Sequence, residues 1–436
     1  MPLIKPELTI GDTSWFAHDR FGLFIHWGTY ALAARHEWVK HNEKIPNETY
    51  YEKYFKHFDP DLYNPNLWAH AAAGAGMRYF VITTKHHEGF CLWDTKLTDY
   101  KATKTPYGRD LLRPMADSFR SHGLHVGFYH SLIDWWHPHY VLDKYIGPYR
   151  DHADREKMNK GRDQAKYAKF LHGQVKELLT KFGKVDILWL DFSYPKPDGS
   201  GKGRAGWQSE KLYAMVRKLQ PKIILNDRLD LEGGWDVKTP EQWQPRGWIR
   251  VNGKPVVWEA CQTFSGSWGY HRDEASWKSV EQLLIMLIDT VSKGGNLLLN
   301  VGPTARGQLD QRALDRLEGM GKWMKQHGRA IYGCTRAPDE FAKPDNCLLT
   351  YNPDLKRIYA HVLDWRFGEI DLPGFAGKVE YAQLLNDASE IRMMEADPND
   401  PSAGTQDGRS RELLTLRIPV QKPIGVEIPV IELFLK

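Results

Sequence analysis

Residues 78–93 read RYFVITTKHHEGFCLW, and this stretch decides which fold the chain can adopt. Its first half, YFVITT, is apolar or β-branched on consecutive residues rather than on alternate ones. Strands that are buried on both faces have this pattern, and such strands occur in parallel sheets covered by helices. The second half changes abruptly to Lys85, His86, His87 and Glu88. The sequence therefore predicts a buried parallel strand that ends in a cluster of ionisable side chains.

Six further runs with similar composition recur up to about residue 305. They are FGLFIHW (21–27), LHVGFYHS (124–131), VDILWLDF (185–192), KIILNDR (222–228), VVWEACQT (256–263) and NLLLNVG (296–302). Amphipathic segments lie between them, for example 166–183 and 279–295, and in the second Ser279 and Gln282 have capping-box spacing. This alternation predicts an α/β fold with a (β/α)8-like TIM barrel in residues 1–335. A doubly wound open sheet is the alternative.

Residues 336–436 have a different pattern. Short β-rich runs such as NCLLTYNP, RIYAHVLD and VIELFLK are separated by Pro, Gly, Asp and Asn, without helical stripes. This pattern predicts a C-terminal antiparallel β-sandwich. We interpret the polar stretch EADPNDPSAGTQDG (395–408) as a hairpin loop or mobile excursion within it.

The composition excludes several classes of protein. A net charge of +4 on 436 residues is too small to indicate nucleic-acid binding, and no stretch approaches the ~20 apolar residues of a membrane span. Four cysteines without a CxxC pair indicate neither a zinc knuckle nor a disulfide framework. The amino terminus has no apolar signal core, so we expect a cytoplasmic protein, or a secreted one if a leader has been removed. The 17 Trp residues suit either core packing or stacking on sugars.

In a barrel, the polar side chains at the carboxyl ends of the strands are expected to point into one cleft. The chain places such side chains at the end of nearly every predicted strand. They are His26, Lys85, His86, His87, Tyr129, His130, Trp189, Asp191, Asn226, Asp227, Arg228, Glu259 and Asn300. This repeated arrangement predicts a functional site rather than a set of structural histidines.

Asp191 ends a wholly apolar strand, so its carboxylate is a candidate nucleophile or base if a cation such as Arg228 keeps it ionised. The alternative is an N-cap or a buried ion-pair partner. Hydrolysis of a glycoside also needs a second carboxyl group that protonates the leaving oxygen. The candidates are Glu241, which lies in a Gly/Pro/Trp-rich stretch that we predict to be a mobile loop, and Glu259, Glu37 and Glu88.

A metal site is the competing interpretation of the histidines. His137 and His139 form an HxH pattern, and His86 and His87 could add ligands. However, the HxH pattern follows Trp136 in a predicted loop, and adjacent histidines on an extended backbone diverge. We therefore predict no metal site.

Seven motifs resemble, in order and spacing, those of the α-L-fucosidases of glycoside hydrolase family 29. They are FGLFIHWG with HEWV, TTKHHEGFCLW, GFYHSLIDWW, ILWLDFS, LNDR, WEACQTFSGSWGY and GGNLLLNVGPTARGQL. The resemblance runs from about residue 14 to 335, and the β-rich tail fits the family's C-terminal sandwich. It implies a barrel-like catalytic domain and a retaining two-step hydrolysis without a cofactor.

The resemblance also implies roles for individual residues. Asp191 matches the nucleophile, and Glu241 is the better match for the acid/base, with Glu259 left open. The positions that match the sugar pocket are His26, Glu37, Trp38, His86, His87, Tyr129, Trp189, Arg228 and Trp268. The implied substrate is a fucosylated oligosaccharide or glycoconjugate, and a homo-oligomer is left open. The alternatives are an α-L-galactosidase or related glycosidase, and a catalytically inactive fucose-binding protein.

Overall fold

The computed structural model describes residues 6–7, 9–198, 200–366, 368–396 and 411–436. In these ranges the α-helices are α1 (Ser14–Asp19), α2 (Val39–Asn42), α3 (Asn47–Lys53), α4 (Pro65–Gly74), α5 (Leu112–Ser121), α6 (Arg155–Met158), α7 (Gln164–Lys181), α8 (Arg204–Trp207), α9 (Ser209–Leu219), α10 (Val280–Ser292) and α11 (Gln311–His327). The strands up to residue 301 are β1 (Phe21–Ile25), β2 (Tyr79–Lys85), β3 (His125–Ser131), β4 (Ile187–Asp191), β5 (Ile224–Leu225), β6 (Arg250–Val251), β7 (Lys254–Pro255), β8 (Glu259–Thr263) and β9 (Asn296–Val301). Those after it are β10 (Thr335–Arg336), β11 (Cys347–Asn352), β12 (Arg357–Val362), β13 (Glu369–Pro373), β14 (Val379–Leu384), β15 (Arg392–Glu395), β16 (Leu413–Arg417) and β17 (Val430–Leu435).

Seven parallel strands form one curled sheet in the order β5-β4-β3-β2-β1-β9-β8. They are the seven runs that the sequence predicts. Every residue of β1, β2 and β9 is buried, as expected for strands covered on both faces. Among the predicted helices, α7 is capped by the side chain of the preceding Asp163, and α10 begins with the predicted capping box of Ser279 and Gln282.

An irregular segment, residues 236–242, lies between the two edge strands β5 and β8, and we call it the closing segment. It pairs with the β5 side through the parallel bridge of Asn226 and Val237, and with the β8 side through those of Lys238 with Trp258 and of Glu241 with Cys261. The gap in the seven-stranded sheet is therefore spanned by backbone pairing without a regular strand.

The C-terminal region contains two antiparallel sheets, ordered β10-β11-β12-β17-β14 and β13-β16-β15. A hydrophobic core lies between them, with Leu349 and Ile431 from the larger sheet and Leu372 and Leu416 from the smaller one. The predicted α/β fold, with a barrel-like parallel sheet followed by antiparallel β-structure, is confirmed. Residues 397–410, which contain most of the polar stretch 395–408, lie outside the described residues.

Two further findings concern the state of the cysteines and the presence of helices that could span a membrane. Cys91, Cys261, Cys334 and Cys347 are all buried free thiols. Within the described ranges, no helix combines the length and the hydropathy that spanning a membrane requires.

Candidate active site

Side chains from several strands meet at the carboxyl-end opening of the barrel. His26 follows β1, His86 and His87 follow β2, and Asp191 ends β4. The ring centroids of His86 and His87 lie 4.0 Å apart, and that of His26 lies 5.5 Å from His86. Tyr129 on β3 lies 5.5 Å from His26, ring to ring, and donates a hydrogen bond to Asp191. These predicted groups therefore line one cleft.

Two strand-end groups point away from this cleft. Lys85 Nζ donates to Asp134 Oδ2 at 3.1 Å and lies over the ring of Phe170 on α7. His130 Nδ1 lies 3.0 Å from Thr84 Oγ1. His130 lies on the same strand face as Phe128, which packs in the core shared with the helices. Lys85 would have the opposite parity, but a β-bulge between Thr83 and Lys85 shifts the alternation of the strand. The expectation that every strand-end group enters one cleft is therefore wrong for Lys85 and His130, and also for Glu259, which begins β8 instead of ending it.

Asp191 is held by donors on both of its carboxylate oxygens. The Tyr129 hydroxyl donates to Oδ2 at 2.8 Å, and Arg228 Nη1 donates to Oδ1 at 3.3 Å. His87 Nε2 lies 3.8 Å from Oδ2. The Asp191 side chain remains 13% exposed, so it is accessible from the cleft. Charge-assisted hydrogen bonds of this kind fix the orientation of a carboxylate on a rigid strand end.

The guanidinium of Arg228 joins Asp191 to Glu241. Its Nη2 donates to Glu241 Oε2 at 3.1 Å, and its Nε donates to Thr239 Oγ1 at 3.1 Å. Burial and the charge of Asp191 raise the pKa of Glu241, and they outweigh the lowering by Arg228. Burial alone would lower the pKa of Arg228, but the neighbouring carboxylates raise it, so Arg228 stays charged. The two carboxyl groups are therefore electrostatically different.

Glu241 lies on the closing segment. Its backbone pairs with Cys261 of β8, and the next residue, Gln242, donates its backbone N–H to the Cys261 carbonyl at 3.0 Å. The predicted loop is therefore attached to β8 by backbone pairing at this residue. Its side chain is 41% exposed, far more than that of Asp191.

The alternative acids lie elsewhere. Glu259 is the first residue of β8, at the amino end of the strand, and is buried. It accepts hydrogen bonds from Tyr79 at 2.6 Å and from Trp189 at 3.3 Å, and burial raises its pKa to about 7. Glu88 is also buried, with Oε2 3.6 Å from His86 Nδ1. Neither carboxyl group opens onto the cleft as Glu241 does.

The imidazoles of His26 and His87 are anchored through one nitrogen each. His26 Nδ1 lies 2.6 Å from Asn300 Oδ1, and His87 Nδ1 lies 2.7 Å from Ser131 Oγ. Asn300 donates its amide to the Trp268 carbonyl at 2.7 Å, so its oxygen must accept from His26. Burial lowers the pKa of both histidines well below the usual value, which keeps them neutral. His26 Nε2 is therefore an acceptor for a ligand hydroxyl.

Glu37 and Trp38 also lie at the cleft. Glu37 Oε2 accepts from the backbone N–H of Gly269 at 2.7 Å, and His36 Nδ1 lies 3.2 Å from its Oε1. The Trp38 ring lies 5.1 Å from His87. A carboxylate buried beside a half-buried indole is suited to binding sugar hydroxyls along one edge and a C–H face on the other.

Trp189 and Trp268 form aromatic walls inside the barrel opening. Trp189 stacks on Tyr129 with centroids 5.7 Å apart, and the Arg228 guanidinium lies 5.0 Å above its ring. Trp268 packs against His26 at 5.1 Å. The structure thus brings all eleven predicted site residues to one region of the barrel.

Sequence reasoning missed two supporting residues, Ser131 and Thr239. Each lies two positions from a predicted site residue, Ser131 after Tyr129 and Thr239 before Glu241. The period of two of an extended chain would have pointed to both. As for metals, the described part of the chain contains no group of three or more His, Cys, Asp or Glu side chains arranged to hold an ion.

The geometry supplies the parts of a retaining glycosidase. A rigid, oriented carboxylate lies near a second carboxyl group of raised pKa, and neutral imidazoles and indoles surround them. Retaining glycosidases use such a pair, one group as nucleophile and the other as acid and then base.

Comparison with known proteins finds alpha-L-fucosidases similar to this chain in sequence and in fold. The family model described as Alpha-L-fucosidase matches residues 11–329. Human plasma alpha-L-fucosidase is 30% identical over 81% of this chain and 76% of its own length. Isoenzyme 1 of the Paenibacillus thiaminolyticus alpha-L-fucosidase has a TM-score of 0.89 at 44% identity, covering 97% of this chain and 98% of that one. A GH29 alpha-L-fucosidase from Bacteroides thetaiotaomicron has a TM-score of 0.83 at 27% identity, covering 100% of this chain and 98% of that one.

These matches cover most of the chain at the levels of sequence and fold. The family match includes every residue of the candidate site, from His26 to Trp268. This chain belongs to the alpha-L-fucosidase family.

Proposed function

We propose that the protein hydrolyses terminal α-L-fucosides with retention of configuration, with Asp191 as nucleophile and Glu241 as general acid/base. The observation that carries the proposal is the Arg228 guanidinium, which contacts both carboxyl groups at 3.3 Å and 3.1 Å. Arg228 orders the two groups on one edge of the cleft, while their exposure differs, 13% for Asp191 and 41% for Glu241. The fucoside specificity is supported by the family match and by the names of the relatives.

In the first step, an Asp191 oxygen attacks the anomeric carbon while the bond from that carbon to the leaving oxygen breaks. Glu241 gives its proton to the departing oxygen, and a covalent fucosyl–Asp191 ester results. Arg228 and Tyr129 bind the carboxylate while it is free, which places its oxygens for in-line attack. Because the Glu241 side chain is more exposed, it can reach an oxygen that leads out of the cleft.

In the second step, Glu241 takes a proton from water, and the water oxygen attacks the anomeric carbon and releases Asp191. The same residue must therefore change from acid to base. The charge of Asp191 contributes to the raised pKa of Glu241, and ester formation removes that charge. The pKa of Glu241 consequently falls once the intermediate has formed, which gives the base that the second step requires.

The remaining groups bind the sugar in this proposal. The imidazoles of His26, His86 and His87 and the carboxylate of Glu37 hydrogen-bond to its hydroxyls. The aromatic rings of Trp189 and Trp268 supply apolar surface for its C–H groups and methyl. Among the relatives, a Bacteroides thetaiotaomicron GH29 alpha-L-fucosidase has been captured as a covalent intermediate with 2-fluoro-fucosyl fluoride.

Trapping and rescue test the assignment. We expect 2-fluoro-fucosyl fluoride to label the protein once, on the peptide that contains Asp191, as read by mass spectrometry. Asp191→Gly should lose turnover of an aryl α-L-fucoside, and azide should restore it through a small nucleophile that fits the vacated position. The matched control is Asp99→Gly, which removes a surface carboxylate whose side chain is 86% exposed. Label on another residue, or an active Asp191→Gly protein without azide, contradicts the proposal.

A further inference from the structure

Phe192, the residue directly after Asp191, has a backbone conformation that phenylalanine rarely adopts. Its φ is +84°, in the left-handed region that glycine enters without steric penalty. Bulky residues remain in this region only where their surroundings impose it, and such positions cluster at functional sites. The strained backbone therefore indicates that the structure requires a phenylalanine side chain at this position.

The left-handed φ changes the side of the chain to which the Phe192 ring points. In a continued strand, residues 191 and 192 would point to opposite faces, and Phe192 would face the helices. Instead, the ring of Phe192 lies on the cleft side with Asp191, 5.1 Å from His87 and 5.7 Å from Trp38, centroid to centroid. A glycine would relieve the strain but would leave no ring at this place.

Hydrogen bonds on both sides of Phe192 impose the conformation. The Asp191 carbonyl accepts from the backbone N–H of Leu132 at 2.9 Å. After the turn, the Ser193 hydroxyl donates to the Arg228 carbonyl at 2.6 Å and accepts from the Trp207 indole at 3.0 Å. Phe192 therefore lies between two residues held by hydrogen bonds, Asp191 and Ser193, and Asp191 belongs to the candidate site.

We propose that Phe192 is a positioning residue that holds His87 and Trp38 in their sugar-binding orientations. Its ring meets His87 edge-on, with 78° between the planes, while Ser131 fixes one nitrogen of the same imidazole. Trp38 is half-buried, and its ring packs on Phe192, His87 and Trp135. Without Phe192, one side of that aromatic cluster is open to water. The inference rests on the proposed function, because it assigns His87 and Trp38 to the sugar.

Two variants separate strain from function. Phe192→Gly and Phe192→Ala both remove the ring, but only glycine removes the left-handed strain. We expect the glycine variant to have the higher midpoint of thermal unfolding of the two. We expect both to lose about tenfold in kcat/KM on an aryl α-L-fucoside, since two aromatic contacts are lost. Fucose binding, measured by calorimetry, should weaken in both, and Phe192→Tyr should retain binding and turnover.

The control is Lys356→Gly, which relieves a left-handed φ of +52° in the exposed turn between β11 and β12. It should change stability without changing kcat/KM. In a Trp38→Ala background, Phe192→Gly should cost less activity than in the wild type, because the ring acts through Trp38. The inference is overturned if Phe192→Gly keeps wild-type kcat/KM, or if its loss and that of Trp38→Ala are additive. Either result leaves the assignment of Asp191 intact, because azide rescue tests that separately.

Discussion

Replacing the buried Glu259 with glutamine should remove a pH-dependent loss of stability. The carboxyl group has an ordinary pKa of 4.5 and a pKa of about 7 in the folded protein, because burial disfavours its charged form. Between these values the unfolded chain releases the proton and the folded chain keeps it, so the stability that the protonated group confers is lost as pH rises through about 7. The difference of about 2.5 pH units corresponds to about 3 kcal/mol.

Glutamine resembles the protonated acid in shape and cannot ionise. Its side-chain amide can still accept a hydrogen bond from the Trp189 indole and can donate one to the Tyr79 hydroxyl. We therefore expect the free energy of unfolding of Glu259→Gln, relative to wild type, to rise by about 3 kcal/mol between pH 4.5 and pH 8. Urea unfolding followed by tryptophan fluorescence at both pH values measures it. An equal difference between the two proteins at both pH values would refute the reasoning.

The same variant tests the choice between the two glutamates. Because Glu259 lies at the amino end of β8, its glutamine variant should keep turnover within a few-fold of wild type. If Glu259→Gln instead lost activity as severely as Glu241→Gln, the acid/base role would belong to Glu259.

Three more perturbations follow from contacts in and behind the cleft. Glu241→Gln should slow hydrolysis of fucosides with poor leaving groups by about 10²–10⁴-fold and affect fucosyl fluoride less; equal losses on both would exclude general acid catalysis. Tyr129→Phe should lower kcat/KM by about 10–100-fold, because one hydrogen bond to a carboxylate is lost; steady-state kinetics on an aryl fucoside would show it, and an unchanged value would contradict it. Lys85→Met should destabilise the fold by about 3–5 kcal/mol in urea unfolding, because Asp134 is left buried without its partner; a change below about 1 kcal/mol would mean that Asp134 finds another partner.

The sequence predicted the parallel strands well because each carries its own signal. A run such as VDILWLDF is apolar on consecutive residues, and burial on both faces demands this wherever the strand lies in the sheet. The capping box of α10 is equally local, since Ser279 and Gln282 satisfy each other's backbone N–H groups. The residues at the carboxyl ends could be grouped because parallel strands bring these ends together.

The features that the sequence did not reveal depend on contacts between distant segments. The closing segment pairs through single bridges, so it has no strand pattern, and Glu241 was assigned to a loop. The strained φ of Phe192 is imposed by Ser193 and its partners, and nothing in the residue type predicts it. His130 faces the helices because of the pleat of β3, whereas Lys85 does so because of a β-bulge in β2. A run of polar residues in the sequence shows neither feature.

The pairing of the closing segment has a consequence for how members of this family can diverge. Asp191, the proposed nucleophile, ends a strand that is paired along its length to β3, whereas Glu241, the proposed acid/base, belongs to a segment attached by isolated bridges. Sequence changes within 229–258 can therefore shift the proton donor and the adjoining surface while the attacking carboxylate stays in place. We expect that exchanging this segment between relatives would alter the choice of leaving group and preserve the chemistry.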